Sequence, residues 1–290
     1  MNRARDMRPK KPSRRFTEGD VVGNHYRVLR LIAAGGMAEV YEVIDQRTGL
    51  RWALKTPNDR YANNRRVVAR MVREAKSLSM INDPSLVRVF DAGEHDGHFF
   101  MVMEYIDGCP LKTLAEERAL PLGVVLSLIR QVCLAVHVLH QLGHVHRDIK
   151  PDNIMILENA DGAWHLAKLI DLGIAKIADF STTSGGLPMG TVNYMAPEQI
   201  CGDKVDARTD IFPIGLILYE LIARCHPHEI NSRPASRGEW AQRQLNYKPA
   251  PLIEIIPTIH PSVSEMVERA MAKKAEDRFK SAAELAETID

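Results

Sequence analysis

The hydrophobic pattern of this chain changes its period once, and that change limits the folds it can adopt. Between Tyr26 and Met103 apolar residues alternate in short runs separated by turn residues, as in antiparallel strands, apart from one segment of helical period over 64–81. From about Leu111 onward most segments have helical period. The sequence therefore predicts an α+β protein, with a small sheet-rich lobe that contains one helix and a larger, mainly helical lobe.

Composition suggests where the folded part begins. Residues 1–20 contain seven Lys or Arg and two prolines but almost no apolar periodicity, which is typical of a disordered leader. Residues 21–290 are interpreted as one two-lobed domain. Its small lobe is expected over about 21–103, a connecting segment at 104–108 and a large lobe over 109–290.

The balance of charge and the cysteine spacing exclude several classes of protein. The chain has 38 Lys or Arg and 37 Asp or Glu, and this formal net charge of +1 argues against a nucleic-acid protein that depends on a basic field. We expect no membrane-spanning segment and no secretory signal. The four cysteines form no C-x-x-C pair, which favours free thiols in a reducing compartment, so a cytoplasmic location is expected.

One acidic residue lies on the apolar face of the predicted small-lobe helix. Glu74 has Met71 and Leu78 as its i−3 and i+4 neighbours, and a buried carboxylate is costly without a partner. Lys55 shares a strand face with Ala53 in the predicted sheet nearby. We therefore predict an ion pair between Lys55 and Glu74, which is either purely structural or a means of directing the lysine toward phosphate groups.

The segment HVHRDIKPDNIMI, residues 144–156, places charged side chains between an apolar helix and an apolar strand. Asp148, Lys150 and Asn153 supply a proton acceptor, a cation for phosphate and an amide oxygen for a metal ion. Asp171 ends the next apolar run, and the turn ENADG between the two runs predicts a hairpin. Asn153 and Asp171 would flank this hairpin and share a magnesium ion.

With these motifs in this order, the chain resembles the Hanks-type serine/threonine protein kinases, and most closely their bacterial members, over 26–289. The resemblance implies a two-lobed kinase fold that uses ATP with Mg²⁺ or Mn²⁺. It also implies transfer of the γ-phosphoryl group to serine or threonine hydroxyls of protein substrates.

The resemblance assigns a role to each of these residues. Lys55, held by Glu74, would bind the α- and β-phosphates of ATP, and Asp148 would accept the proton of the attacking hydroxyl. Lys150 would neutralise the transferring phosphoryl group, and Thr191 would contact Asp148 and Lys150. The implied metal ligands are Asn153 and Asp171, and the implied structural residues are Arg147, Glu198, Asp210 and Arg278.

The stretch IAAGGMAEV, residues 32–40, matches the glycine-rich loop of the family only in part. Gly35 stands at the central glycine position, but Ala33 and Ala38 occupy the outer two. Because these alanines remove no charge, we interpret the loop as a working variant. The implied ATP-binding residues are Ile32, Ala33, Ala34, Gly35, Gly36, Met37, Ala38, Glu39, Val40, Ala53, Lys55, Met103, Glu104, Ile106 and Met155.

A run of hydroxyl residues falls in the region of the family's activation loop, between 173 and 190. Arg147 beside the catalytic aspartate is a mark of kinases whose activation loop is ordered by a phosphate group. Autophosphorylation of this run is therefore predicted, and a flexible loop that merely contains hydroxyl groups is the open alternative. The candidate phosphosites are Thr182 and Thr183, followed by Ser181 and Ser184.

Other functions and partners stay open at this point. A pseudokinase that binds ATP without transferring phosphate would lack a catalytic group, and only Ala33 favours it. A small-molecule phosphotransferase shares the lobes, but Lys150 and the Ala196–Glu198 motif favour peptide docking. The resemblance also implies a homodimer as one state, and either a cytoplasmic protein or the cytosolic part of a longer membrane-anchored one.

Overall fold

The chain forms two compact units. They are seen in a computed structural model that describes residues 14–159, 161–171, 189–228 and 236–290. The smaller unit is built mainly from an antiparallel sheet and the larger one mainly from helices, so the predicted α+β class is confirmed.

The border between the units differs in part from the predicted border. One break lies between Tyr105 and Ile106, within the segment predicted to connect the lobes. However, Met80–Arg88, which the sequence placed in the small lobe, belong to the larger unit. The reason is backbone pairing, because the N–H of Leu169 donates to the carbonyl of Ser85 at 2.8 Å in that unit.

Six antiparallel strands make up the sheet of the smaller unit, in the order β1-β2-β3-β4-β6-β5. Strand side chains alternate between faces, and one face buries the apolar core. That core consists of Val22, Tyr26, Val28, Tyr41, Val43, Leu54, Phe100 and Val102. The strands are β1 (Val21–Val22), β2 (Tyr26–Ala34), β3 (Ala38–Asp45), β4 (Arg51–Pro57), β5 (Val89–His95) and β6 (His98–Glu104).

Residues 15–20, which the sequence assigns to the leader, contact this sheet instead. The backbone N–H of Arg15 donates to Oε2 of Glu39 at 3.1 Å, and that of Phe16 donates to the hydroxyl of Tyr41 at 3.1 Å. The rings of Phe16 and Tyr41 also meet edge to face, with centroids 5.6 Å apart. Phe16 is partly buried and packs against the core of the sheet, so packing begins before residue 20. Residues 1–13 lie outside the described part of the chain.

In the described residues of the smaller unit one helix, α1 (Arg65–Ser79), packs on β5 and β6. It begins after Asn64, whose side-chain oxygen accepts a hydrogen bond from the N–H of Arg66 at 3.1 Å and so satisfies a free donor of the first turn. The helix predicted over 64–81 is therefore confirmed, with ends that differ by no more than two residues. Its buried side consists of Val67, Arg70, Met71, Glu74, Ala75 and Leu78.

The larger unit surrounds two apolar helices that contact each other, α3 (Leu122–Gln141) and α5 (Ile211–Ala223). A small antiparallel sheet of β7 (Cys109–Pro110), β8 (Ile154–Glu158) and β9 (Trp164–Leu169) lies beside α3. The β8–β9 pair is the hairpin predicted from the ENADG turn. The other helices in the described residues are α2 (Leu111–Glu117), α4 (Pro197–Cys201), α6 (Arg237–Asn246), α7 (Leu252–Ile255), α8 (Pro261–Ala270) and α9 (Ala282–Ile289).

In the described residues one helix, α3, is long and apolar enough to cross a membrane. The sequence was expected to contain no membrane-spanning segment. In this structure α3 packs against α5, α9 and β9. Ile129, Val136 and Leu139 on it have no exposed surface. These are the contacts of a core helix, whose apolar composition arises from burial on several sides.

Candidate active site

A buried ion pair joins β4 to α1. The Nζ atom of Lys55 lies 2.9 Å from Oε1 of Glu74, and the two residues are 9% and 3% exposed. The pair predicted from the position of Glu74 is thus confirmed. In the register of the sheet Val40 lies opposite Lys55, and Ala53 lies opposite Met103, so all four share one face. This face carries a fixed cation surrounded by small and apolar side chains.

The glycine-rich stretch forms the tip of the β2–β3 hairpin. The N–H of Gly35 donates to the carbonyl of Ala38 at 2.8 Å, which leaves Gly36 and Met37 as the turn. A Cβ on Gly35 would approach that carbonyl to 3.3 Å, so a glycine suits this position. Ala33 and Ala38 lie in strands and neither has a positive φ, so alanine causes no backbone strain at the two outer positions.

The other predicted ATP-binding residues are spread over both units. Ile32 is exposed on β2, and Glu104 ends β6. Ile106 and Met155 belong to the larger unit, where Met155 lies on β8. Glu39 and Tyr41 are two residues apart on β3, so their side chains share a face, and Tyr41 lies in the core. The side chain of Glu39 is therefore on the core face of the sheet, opposite to the face of Lys55.

The carboxylate of Glu39 is engaged on the core face of the sheet. Its Oε2 atom accepts a hydrogen bond from the Tyr41 hydroxyl at 2.5 Å and one from the backbone N–H of Arg15 at 3.1 Å. Burial, followed by this hydrogen bond to Glu39, raises the pKa of Tyr41 above its usual range. The carboxylate therefore ties the N-terminal segment to the sheet, and only the backbone of Glu39 can serve the loop.

In the larger unit, the loop between α3 and β8 brings together three predicted site residues, Asp148, Lys150 and Asn153. The Nδ2 atom of Asn153 donates to the backbone carbonyl of Asp148 at 2.8 Å and to its Oδ2 atom at 3.3 Å. Lys150 forms an ion pair with the same carboxylate, with Nζ 3.5 Å from Oδ2. Because the side-chain nitrogen Nδ2 of Asn153 is engaged in this way, the side-chain oxygen Oδ1 is the atom suited to a cation.

Asp210, the residue before α5, anchors this loop from the interior. Its side chain is fully buried, and it accepts hydrogen bonds from the backbone N–H groups of His146 and Arg147 at 2.7 and 2.8 Å. Nε2 of His140 is also 2.8 Å from Oδ2 of Asp210. Arg147 has a φ of 67°, a left-handed conformation that few non-glycine residues adopt. The two backbone bonds hold the loop in that bend, as the role predicted for Asp210 requires.

The β8–β9 hairpin brings the two predicted metal ligands to one end. Ile154 lies opposite Leu169, and the N–H of Ile170 donates to the carbonyl of Asn153 at 3.0 Å. Asp171 follows directly. Both side chains offer oxygen atoms, the donor type that Mg²⁺ and Mn²⁺ accept, so the residues fit a divalent cation. In the described residues no group of three His, Cys, Asp or Glu side chains forms another metal site.

The Ala196–Glu198 motif starts α4 and is tied to distant parts of the larger unit. Arg278 donates to both carboxylate oxygens of Glu198, at 2.8 and 2.9 Å. Burial raises the pKa of Glu198, but the hydrogen bonds and charge of Arg278 outweigh it and hold the pKa below its usual value. Gln199, which sequence reasoning missed, donates to the carbonyl of Arg147 at 3.0 Å and so links the motif to the catalytic loop.

A groove of about 620 Å³ in the larger unit is lined in part by Lys150 and Asp152. On its wall, the hydroxyl of Tyr194 donates to Oε2 of Glu220 at 2.5 Å. The groove was not predicted, because its lining comes from several segments far apart in the sequence and no local motif signals it. The remaining lining residues, with charges of both signs, are Lys112, Ala115, Glu116, Pro151, Asn193, Leu221, Arg224, His226 and Trp240.

Several predicted residues cannot be placed in this geometry. The backbone of Thr191 lies in a 3₁₀ turn over Met189–Tyr194, while its side chain is outside the described part. The four candidate phosphosites, Ser181, Thr182, Thr183 and Ser184, also lie outside the described residues.

The fold and the site define a class of protein, and comparison with known families names it. Residues 26–288 match the family model of the protein kinase domain, and the chain belongs to that family. The structure is similar to the crystal structure of the Mycobacterium tuberculosis PknI kinase domain, with a TM-score of 0.72 and 27% identity. This match covers 94% of the chain and 97% of that domain.

Among curated proteins the chain is similar to bacterial serine/threonine-protein kinases. It is 35% identical to PknD of Mycobacterium tuberculosis over 263 residues, which are 90% of this chain and 38% of PknD. It is 35% identical to pkn3 of Myxococcus xanthus over 91% of this chain and 49% of that protein. It is 33% identical to PknL of Mycobacterium tuberculosis over 91% of this chain and 65% of PknL. The chain thus spans between 38% and 65% of the length of these relatives.

Proposed function

We propose that this chain is an ATP-dependent serine/threonine protein kinase that transfers the γ-phosphoryl group of ATP to hydroxyl groups of proteins. The observation that carries the proposal is the catalytic loop, in which both Lys150 and Asn153 contact Asp148. The names of the relatives, all serine/threonine-protein kinases, support the same reaction.

The chemistry proposed for the loop follows from the charges it assembles. Asp148 accepts the proton of the attacking serine or threonine hydroxyl, while Lys150 neutralises negative charge on the phosphoryl group in transit. A divalent cation held by Asn153 and Asp171, Mg²⁺ or Mn²⁺, supplies further neutralisation of the phosphates when bound. Transfer of this kind depends on positioning and charge rather than on a covalent intermediate, so the rigid anchoring by Asp210 serves the reaction directly.

Lys55 is proposed to bind the α- and β-phosphates. Its ion pair with Glu74 fixes a long, flexible side chain in one position, which reduces the entropy lost when phosphate binds. The neighbours of Lys55 on its sheet face, Val40 and Ala53, are apolar and suit an adenine ring.

Protein substrates are favoured over small molecules by the groove lined by Lys150 and Asp152, whose charges of both signs suit a peptide. We also propose that the activation-loop hydroxyls, Thr182 or Thr183 first, are sites of autophosphorylation. A homodimer and a cytoplasmic location of this domain remain predictions from the sequence.

The test is a transfer assay with the purified chain, Mg²⁺ and γ-labelled ATP, followed by mapping of labelled residues by mass spectrometry. Asp148→Asn is the inactive variant, and Asp161→Asn, in the exposed turn between β8 and β9, is the matched control. We expect label on serine or threonine with the wild type and Asp161→Asn, and a loss of about 10²- to 10⁴-fold with Asp148→Asn. ATP binding without label in any variant would instead indicate an ATP-binding scaffold.

A further inference from the structure

The side chain of Asn58, one residue past β4, holds the tip of the glycine-rich hairpin. Its Nδ2 atom lies 3.2 Å from the carbonyl oxygen of Gly36 and 3.4 Å from that of Gly35. Its backbone N–H donates to the carbonyl oxygen of Met37 at 3.0 Å. Three successive carbonyl groups of the loop therefore converge on one asparagine.

The orientation of this amide group is determined by its surroundings. With the nitrogen toward the loop, Asn58 donates to two carbonyl oxygens, whereas the reversed amide would place its own oxygen against them. The Oδ1 atom is buried and has no hydrogen-bond partner within the described ranges. A buried acceptor without a partner is unfavourable. The favourable contribution of this side chain is therefore the pair of hydrogen bonds that its nitrogen donates to the loop.

Holding the carbonyl groups also determines where the N–H groups of the loop point. In a trans peptide the C=O of one residue and the N–H of the next point in opposite directions. Because the carbonyls of Gly35 and Gly36 face Asn58, the N–H groups of Gly36 and Met37 face away from it. Neither N–H donates to a backbone carbonyl in the part of the chain that the structure describes. Adjacent N–H groups aimed in one direction are a binding site for anionic oxygen atoms.

We propose that Asn58 is a positioning residue for ATP: it orients the N–H groups of Gly36 and Met37 toward the phosphates. This inference rests on the proposed function, in which ATP is the phosphoryl donor. It also explains how a loop with alanine at 33 and 38 can still bind phosphate. The conformation of its tip is fixed by hydrogen bonds from the Asn58 side chain and does not depend on glycine at those two positions.

The experiment compares Asn58→Ala, which removes the amide, and Asn58→Asp, which keeps its shape but loses the donor, with Asn63→Ala. Asn63 is an exposed asparagine a few residues further on, in the turn before α1. For the wild type and each variant, the Kd values of ADP and of adenosine are measured by calorimetry in Mg²⁺, with the KM for ATP and kcat. Hydrogen exchange at Gly36 and Met37 is recorded with and without ADP.

We expect Asn58→Ala to raise the Kd of ADP and the KM for ATP by about three- to tenfold, the value of one or two neutral hydrogen bonds, with kcat less affected. Asn58→Asp should raise them at least as much. Adenosine, which has no phosphate, should bind all three variants within about twofold of the wild type. ADP should protect the Gly36 and Met37 amides from exchange in the wild type and in Asn63→Ala, but less in the Asn58 variants.

Two results would overturn the inference while leaving the kinase function intact. One is an ADP affinity of both Asn58 variants within about twofold of the wild type while the wild type transfers phosphate. The other is an equal loss of ADP and adenosine affinity, which would indicate a general effect on the sheet rather than on phosphate binding. If the wild type neither binds ADP nor transfers phosphate, the proposed function itself fails, and the inference fails with it.

Discussion

Arg278 and Glu198, 80 residues apart, form a two-pronged ion pair in the larger unit, with N–O distances of 2.8 and 2.9 Å. The Arg278 side chain is completely buried. Its guanidinium group also donates to the backbone carbonyls of Ala272, Lys273 and Arg208. One arginine thus ties the Ala196–Glu198 motif to the C-terminal part of the chain.

Replacing Arg278 is expected to destabilise the larger unit strongly. Arg278→Met leaves a buried carboxylate and three carbonyls without their donor, so the free energy of unfolding should fall by about 3–5 kcal/mol. The measurement is urea unfolding followed by circular dichroism. Arg269→Met, which breaks a partly exposed pair with Glu284, should cost no more than about 1 kcal/mol. Equal losses for the two variants would contradict this view of the Arg278 pair.

The Lys55–Glu74 pair should matter for catalysis. Lys55→Met removes the cation proposed for the phosphates, and phosphoryl transfer should fall by at least about a hundredfold. Lys76→Met, on an exposed position of α1, is the control and should retain wild-type activity. Steady-state kinetics with ATP and a protein substrate provide the measurement. A Lys55→Met protein with more than a tenth of wild-type activity would exclude the proposed role.

Asp210 should affect turnover although it lies behind the catalytic loop. Asp210→Asn keeps the shape but replaces one acceptor oxygen with a donor that faces a backbone N–H, so one charge-assisted bond to His146 or Arg147 is lost. We expect the stability to fall by about 1.5–3 kcal/mol and kcat to fall with little change in the KM for ATP. Asp203→Asn, at an exposed position after α4, is the control. An unchanged kcat would show that the loop holds its geometry without this anchor.

Two buried histidines should make the stability of the fold depend on pH. Burial lowers the pKa of His226 to about 4, and burial together with the nearby cation of Lys273 lowers that of His228 to about 3. Nζ of Lys273 lies 3.4 Å from Nε2 of His228, and Arg243 donates to the His228 carbonyl. The ring of Tyr247 closes the cluster, with its centroid 5.9 Å from that of His228. Hydrogen bonds with Gln244 and with the backbone of Asn193 favour protonation, but burial and the neighbouring cations outweigh them.

The sign of the pH effect follows from these pKa values. Unfolded histidine binds a proton near pH 6.5, whereas the folded histidines stay neutral down to about pH 4 and 3. Stability is therefore complete above about pH 6.5 and falls as the pH decreases, by about 1.4 kcal/mol per pH unit for each histidine. Urea unfolding between pH 7.5 and 4.5 measures this slope. His228→Phe should reduce the slope, and an unchanged slope would refute the assignment.

The metal requirement can be separated from the fold. Chelation of divalent cations with EDTA should abolish phosphoryl transfer while the unfolding transition in the absence of ATP stays the same, because the protein groups are already held by hydrogen bonds. Asn153→Ala should raise the Mg²⁺ concentration needed for half-maximal activity, by about tenfold or more. The exposed Asn63→Ala is again the control. An unaltered Mg²⁺ requirement would exclude Asn153 as a ligand.

The sequence by itself determined the features that depend on neighbouring residues. Glu74 on an apolar helix face predicted its ion pair with Lys55, since a buried carboxylate needs a partner and the adjacent strand offered one. The ENADG turn predicted a hairpin with Asn153 and Asp171 at one end, because strand pairing follows directly from a tight turn.

Only the tertiary structure decided the contacts that join distant segments. The glycines predicted a phosphate-binding loop at residues 32–40. However, the side chain that holds this loop belongs to Asn58, which matches no local sequence pattern. The contacts of Phe16 and Gln199 were likewise revealed only by the structure, because their partners lie on other elements. Periodicity and turn chemistry report interactions within a few residues along the chain. Packing between elements depends on their relative placement, which short-range patterns do not encode.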